Sequence, residues 1–266
     1  MTVVVCAAAS EGIVVATDSR RMQSSGGSEP TYEVASDLAR KLFIVDRIVV
    51  ATRGEATIGN ETIGQIMDRF DGPVDSGPQA YAESLGDFFA NMLSETTTPQ
   101  RGDLFKAENM KWPIGFAVAG YEDGIGYAFW VRVRRGDRDV KQLNLSTDNP
   151  GVLPFGQADA INRLLNGIDK QALRDVKIAI PAKDRPKLPL LSYDLILPQT
   201  VEDAAELAEF LITTQLGAQR FSYGVHASGR RIAGCGGPIR IASVSAEGTS
   251  WIAGRPPEQE SQRQVA

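Results

Sequence analysis

The chain has 266 residues, 42% of them hydrophobic and 23% charged, which is ordinary for a globular protein and long enough to bury a sizeable core. A formal net charge of −5, with basic residues scattered among acidic ones, gives no general attraction to nucleic acid, and no apolar run reaches the about 18 residues that cross a bilayer. Two cysteines, Cys6 and Cys235, and one histidine, His226, supply neither a disulfide framework nor a zinc site, so no metal or organic cofactor is expected.

In chain order, residues 2–9 and 12–17 predict a hairpin of β-branched and small residues around Ser10-Glu11. Residues 21–36, rich in Ser, Gly and Glu, predict a loop. Residues 40–45 and 48–52 predict a second hairpin turned at Asp46-Arg47. These strands are apolar on both faces, which requires a sheet covered above and below. Helical spacing follows over Glu55–Phe70 and, more clearly, over Pro78–Ser94 with Tyr81, Leu85, Phe88, Phe89 and Met92.

A third hairpin is predicted over 113–121 and 126–134, with 139–145 as a continuing strand; Arg132, Arg134 and Arg135 read as its solvated end. Helices are predicted over Asp159–Asn166 and Val201–Leu216, the latter with an apolar face broad enough to be sandwiched. Strands near 238–245 and 249–253 close one domain of residues 1–254, and the polar tail 255–266 is expected to be disordered. Strands and helices come in blocks without strict alternation, which points to an α+β fold: a four-layer α/β/β/α sandwich of two antiparallel sheets between helix pairs.

The chemistry suggested by the sequence lies at its start. With Met1 removed, Thr2 carries a hydroxyl and a free α-amine on adjacent carbons. The hydroxyl needs a base, and an α-amine that titrates near 8 can take its proton. A tight hairpin brings the start of its first strand beside the end of its second, so Asp18 and Arg20 come within reach of Thr2. Lys41, at the start of the third strand, enters the same region, where its cation favours the neutral amine and Asp18 keeps it charged and oriented. Gly54, where the fourth strand ends, is positioned to offer a backbone N–H to a developing oxyanion. Taken alone, Asp18-Ser19-Arg20 is an ordinary turn; its spacing from Thr2 and the presence of Lys41 make it a candidate site.

These residues resemble the N-terminal nucleophile (Ntn) hydrolases of the proteasome β-subunit class, especially the bacterial proteasome-like proteins. In that family a mature N-terminal Thr is followed by Asp sixteen positions later and Arg eighteen later, as Thr2, Asp18 and Arg20 are here. Lys41 in "ARKLFIVDRIVVATRG" matches the family lysine, and Gly54 its oxyanion donor. The resemblance runs on through "PFGQADAINRLLNGID" and "AEFLITTQLGAQRF" to "CGGPIRIASVS". It departs where the family has a Ser after a glycine, here Gln157, and where a later Asp and Ser fall on Ile232 and Cys235.

The resemblance implies the four-layer Ntn-hydrolase fold and a threonine peptidase acting on peptide or unfolded protein. It also implies a homo-oligomeric ring. The absence of a secretory pattern at the N-terminus leads to an expected cytoplasmic location, with no nucleic-acid or membrane partner. Two alternatives keep the same residues: a non-peptide amidase or acyl transferase, and a ring-forming subunit without activity if Met1 is retained.

Overall fold

The computed structural model describes residues 2–24, 32–96, 112–175, 177–193, 195–221 and 233–255. Its centre is the first hairpin, β1 (Val3–Ala9) and β2 (Gly12–Thr17), paired antiparallel from Val4↔Thr17 to Ala9↔Gly12, with every residue buried. The next pair of strands, β3 (Arg21–Ser24) and β4 (Tyr32–Ser36), form a small sheet of their own. This corrects the loop expected over 21–36. The strands are short and form a sheet separate from the two five-stranded ones, with Val34 exposed, so no buried apolar face marks them in sequence; residues 25–31 lie outside the described residues.

β5 (Leu42–Val45) and β6 (Ile48–Gly54) pair as predicted, with Asp46 at φ 49° in the turn. The helix expected over Glu55–Phe70 is replaced by a short hairpin, β7 (Thr57–Ile58) and β8 (Glu61–Thr62), and a single-turn helix, α1 (Ile63–Met67). Thr62 starts that helix with a reciprocal capping box: its hydroxyl accepts the Gln65 N–H while the Gln65 side chain accepts the Thr62 N–H. Ile58, Ile63, Ile66 and Met67 are nonetheless buried together, which is why their spacing read as helical. α2 (Gly77–Glu95) follows, its Tyr81, Leu85, Phe89 and Leu93 forming one buried stripe at four-residue intervals.

β9 (Ile114–Glu122), β10 (Ile125–Arg134) and β11 (Asp137–Ser146) join β6 and β5 in one antiparallel sheet ordered β11-β10-β9-β6-β5. The arginines at the end of β10 are neutralised across the ladder, Arg132 by Asp139 and Arg134 by Asp137. β12 (Gly151–Gly156), a strand not predicted, pairs with β1 at the edge of the other sheet, where Pro154 leaves no ladder bond unmet. Then come α3 (Asp159–Asn166), an unpredicted α4 (Lys170–Asp175), and α5 (Val201–Phe221), five residues longer than expected. β13 (Arg240–Ser245) and β14 (Gly248–Ala253) complete the sheet β12-β1-β2-β13-β14. The tail expected to be disordered lies, from residue 256 on, outside the described residues.

Pleat alternation distributes these strands into layers. Val3, Val5, Ala7, Val14 and Ala16 face α5 and α3, packing on Ala204, Ala208, Leu211 and Ile212. Val4, Cys6, Ala8, Ile13 and Val15 face the other way, onto Leu42, Val49, Ala51, Ala117 and Ala119 of the second sheet. The outer face of that second sheet, with Val50, Phe116, Val118 and Val131, is covered by α2 and α1. The layers are helices, sheet, sheet, helices. Among the described residues α5 is covered on one side only, with Phe210 and Phe221 exposed, so its broad apolar face serves the sheet and α3 together and is not sandwiched by them.

Candidate active site

The first hairpin sets the site. One step beyond the Val4↔Thr17 pair, Asp18 lies beside Val3: the Val3 N–H donates to Asp18 Oδ1 at 3.1 Å and the Asp18 N–H reaches Val3 O at 3.4 Å. Thr2 precedes this pair and is held from the other side by β12, where the Gln157 N–H donates to the Thr2 carbonyl at 2.8 Å. Gly156 makes that approach possible. At φ +80° a Cβ there would lie 2.0 Å from the Thr2 oxygen, which no side chain tolerates. Thr2 is 5% exposed, at the floor of a pocket rather than on the surface.

Asp18 is completely buried and accepts four hydrogen bonds. Lys41 Nζ (2.9 Å) and Val3 N (3.1 Å) reach Oδ1; Gly236 N (3.0 Å) and Arg20 N (3.2 Å) reach Oδ2. A carboxylate taken out of water requires such partners. Lys41 reaches it from just before β5, outside the strand's pleat, on the same side as its neighbour Leu42, which faces the first sheet. Arg40 turns to the helix side, donating to Gly64 O at 3.0 Å and pairing with Asp68, whereas Lys41 turns to the first sheet.

Arg20 takes a different partner from the one its position suggests. Its guanidinium forms a two-pronged bond to Asp37 (2.6 and 2.9 Å) and donates to Ala233 O at 3.1 Å; only its backbone N–H meets Asp18. The Arg20 hydrogen bond holds the Asp37 carboxyl below its usual range. Asp37 and the Gly236 N–H are site components that the sequence reading missed. Neither lies in a periodic segment, and "SDLA" before Arg40-Lys41 was the one local sign of a polar turn beside the β5 lysine. Ser19, buried between them, donates to Pro238 O at 2.6 Å.

Gly54 ends β6 at φ +98°, where a Cβ would strike Pro113 O at 2.0 Å, so glycine is required there too. A cavity of about 270 Å³ is lined by Thr2, Arg20, Lys41 and Gly54, together with Arg53 and Glu55. Four of the five sequence-predicted site residues thus line one pocket, and the fifth, Asp18, is bonded to its lysine. Burial holds the Glu55 carboxyl above its usual value.

Behind Asp18, Gln157 and Cys235, two of the three positions at which the sequence resemblance departs, bond to each other. The Cys235 thiol donates to Gln157 Oε1 at 3.3 Å, Gln219 Nε2 donates to the same oxygen at 3.1 Å, and the Cys235 N–H donates to Gln219 Oε1 at 2.9 Å. Burial pushes the Cys235 thiol up, so it stays protonated and able to donate. Ile232 lies outside the described residues.

Among the described residues no cluster of His, Cys, Asp and Glu has the arrangement of a metal site, and no helix is long and apolar enough to cross a membrane. No family model matches the chain, and no curated protein does. Among solved structures, the chain is similar to the Anbu (Gly-1) mutant from Hyphomicrobium sp. strain MC1, with a TM-score of 0.52 and 14% identity, over 100% of this chain and 96% of that one. At this identity the likeness is one of fold.

Proposed function

We propose that the chain is a proteasome-like threonine peptidase whose nucleophile is Thr2 after removal of Met1. One observation carries the reading: Thr2 and Lys41 line a single pocket, and the Lys41 ammonium is held 2.9 Å from a buried carboxylate that also accepts the N–H of the residue following Thr2. The likeness in fold to Anbu, a bacterial proteasome-like protein, supports it from a second direction. On this reading residues 1–254 form one domain of the Ntn-hydrolase type.

Thr2 Oγ attacks the carbonyl carbon of the scissile amide, and its proton passes to the α-amine of the same residue. The nearby Lys41 cation disfavours a second positive charge and keeps that amine in its basic, neutral form. Negative charge on the carbonyl oxygen is taken up by the Gly54 N–H. Collapse breaks the C–N bond, the proton moves from the α-amine to the leaving nitrogen, and the acyl group stays on Oγ as an ester. Water, deprotonated by the same amine, attacks the ester, releases a carboxylic acid and restores Thr2. Arg20 acts at one remove, fixing Asp37 and the backbone around Asp18. On the same reading the enzyme is a cytoplasmic homo-oligomer acting on peptides or unfolded protein, without cofactor.

The test has two parts. Intact mass of the purified protein should read one methionine residue short. A fluorogenic peptide should then be hydrolysed, with Thr2→Ala lowering the rate by roughly 10³-fold or more. Hydrolysis that persists in Thr2→Ala protein overturns the proposal.

A further inference from the structure

The pocket beside Thr2 contains a cation that the proposed chemistry does not use. Lys41, Arg20 and Arg40 have carboxylate partners in Asp18, Asp37 and Asp68. Arg53 has none among the described residues. It stands immediately before Gly54 on β6 and forms part of the pocket wall. Pleat parity groups Arg53 with Val49 and Ala51, whose side chains point into the gap between the sheets. On β1 the same parity groups Thr2 with Val4 and Cys6, which point into that gap from the opposite sheet.

The guanidinium lies 5.2 Å from the centroid of Trp130, and its Nε, packed against Gly115, is buried without a hydrogen-bond partner. Burial disfavours the cation, and the charge that acts on it is the like charge of Arg132, itself engaged with Asp139. Glu55, in the same wall, forms no ion pair with it. A largely buried guanidinium with unused donors, beside an aromatic ring, is a receptor for a carboxylate: its rigid fork matches two oxygens at once.

We propose that Arg53 forms a subsite for a carboxylate side chain of the substrate, so that the residue lodged in the Thr2 pocket is Asp or Glu. The inference rests on the peptidase reading for the kind of substrate. The geometry of Arg53 alone supplies the sign of the charge it selects.

The experiment measures calorimetric binding of N-acetylated, C-amidated Ala-Ala-Ala-X peptides, with X as Glu, Gln, Leu or Lys, to the full chain and to Thr2→Ala protein. The Glu peptide should bind roughly tenfold tighter than the Gln peptide, as suits a charge-assisted pair. Arg53→Gln should bring the ratio to about one, and Arg53→Lys should leave an intermediate preference. Equal affinity for Glu and Gln in the unmodified protein, or a preference that survives Arg53→Gln, overturns the proposal. Should Arg53→Gln fail to fold, salt provides the second measurement on the unmodified protein. Raising ionic strength from about 0.05 to about 0.5 M should weaken the Glu peptide and spare the Leu peptide, and equal response of the two overturns it. Because binding is also read on Thr2→Ala protein, the two readings fail separately: persistent hydrolysis without Thr2 removes the nucleophile assignment, and indifference to charge removes the subsite.

Discussion

Replacing Lys41 by Met tests the ion pair at the centre of the site. Asp18 is 0% exposed and the Lys41 side chain 9%, so the substitution strands a carboxylate that water does not reach. Breaking such a pair costs about 3–5 kcal/mol. Three backbone donors to Asp18 survive, from Val3, Arg20 and Gly236, which puts the expectation at the lower end, about 3 kcal/mol. In a chain of this size that corresponds to a melting point lower by about 6 °C, at about 2 °C per kcal/mol. Asp18→Asn should cost a similar amount, because its amide NH2 replaces an oxygen that accepts N–H donors. The double variant buries no unpaired charge. It should therefore be no less stable than either single variant, giving a coupling of about 3 kcal/mol in urea denaturation. A coupling below about 0.5 kcal/mol would refute the buried pair, and with it the account of how Lys41 is held and aimed.

Two further outcomes follow from individual positions. Gly156→Ala places a Cβ 2.0 Å from the Thr2 carbonyl at φ +80° and should destabilise by at least about 2 kcal/mol, read by urea denaturation; a loss within about 0.5 kcal/mol would mean that β12 does not clamp Thr2 as described. Glu55 gives a pH-dependent test. Burial raises its folded-state pKa above the ordinary 4.5, so its favourable contribution is complete below that value and is lost as pH rises through the folded pKa. Glu55→Gln should accordingly stabilise the protein at neutral pH and have no such benefit below pH 4.5, whereas a benefit equal at both pH values would contradict a desolvated carboxyl.

Much of the architecture could be read from residue patterns because the strands of the first two hairpins are apolar on both faces. Alternation such as Val3-Val4-Val5-Cys6 serves two cores at once, and only a covered sheet accommodates it. The hairpin geometry brings Asp18 beside Val3, because a tight turn at Ser10-Glu11 leaves the register no freedom. Patterns failed where burial was partial or local. The β3–β4 arm is short and two-stranded, with Val34 exposed, so no buried face separates it from a loop. Ile58, Ile63, Ile66 and Met67 share one core, but a hairpin and a single helical turn present them as well as one helix would.

Arg20 illustrates a different gap. Its neighbour in sequence is Asp18, yet its guanidinium follows the chain reversal of the β3–β4 arm to Asp37, and no periodicity specifies which carboxylate an arginine reaches. Gln157 and Cys235 are far apart in sequence, and only the fold brings them together, bonded directly and through Gln219 of α5. Arg53 carried no signal in the sequence, and its lack of a carboxylate partner among the described residues emerges only from three dimensions.

The central claim is that one residue supplies both nucleophile and base. Treating the Met1-free protein with a peptide epoxyketone, which requires a hydroxyl and an adjacent free amine, and mapping the product by tandem mass spectrometry tests it directly. The account predicts one adduct per chain, joined through both Oγ and the α-nitrogen of Thr2. Protein that has lost Met1 and still forms no adduct, or forms it at another residue, would contradict it.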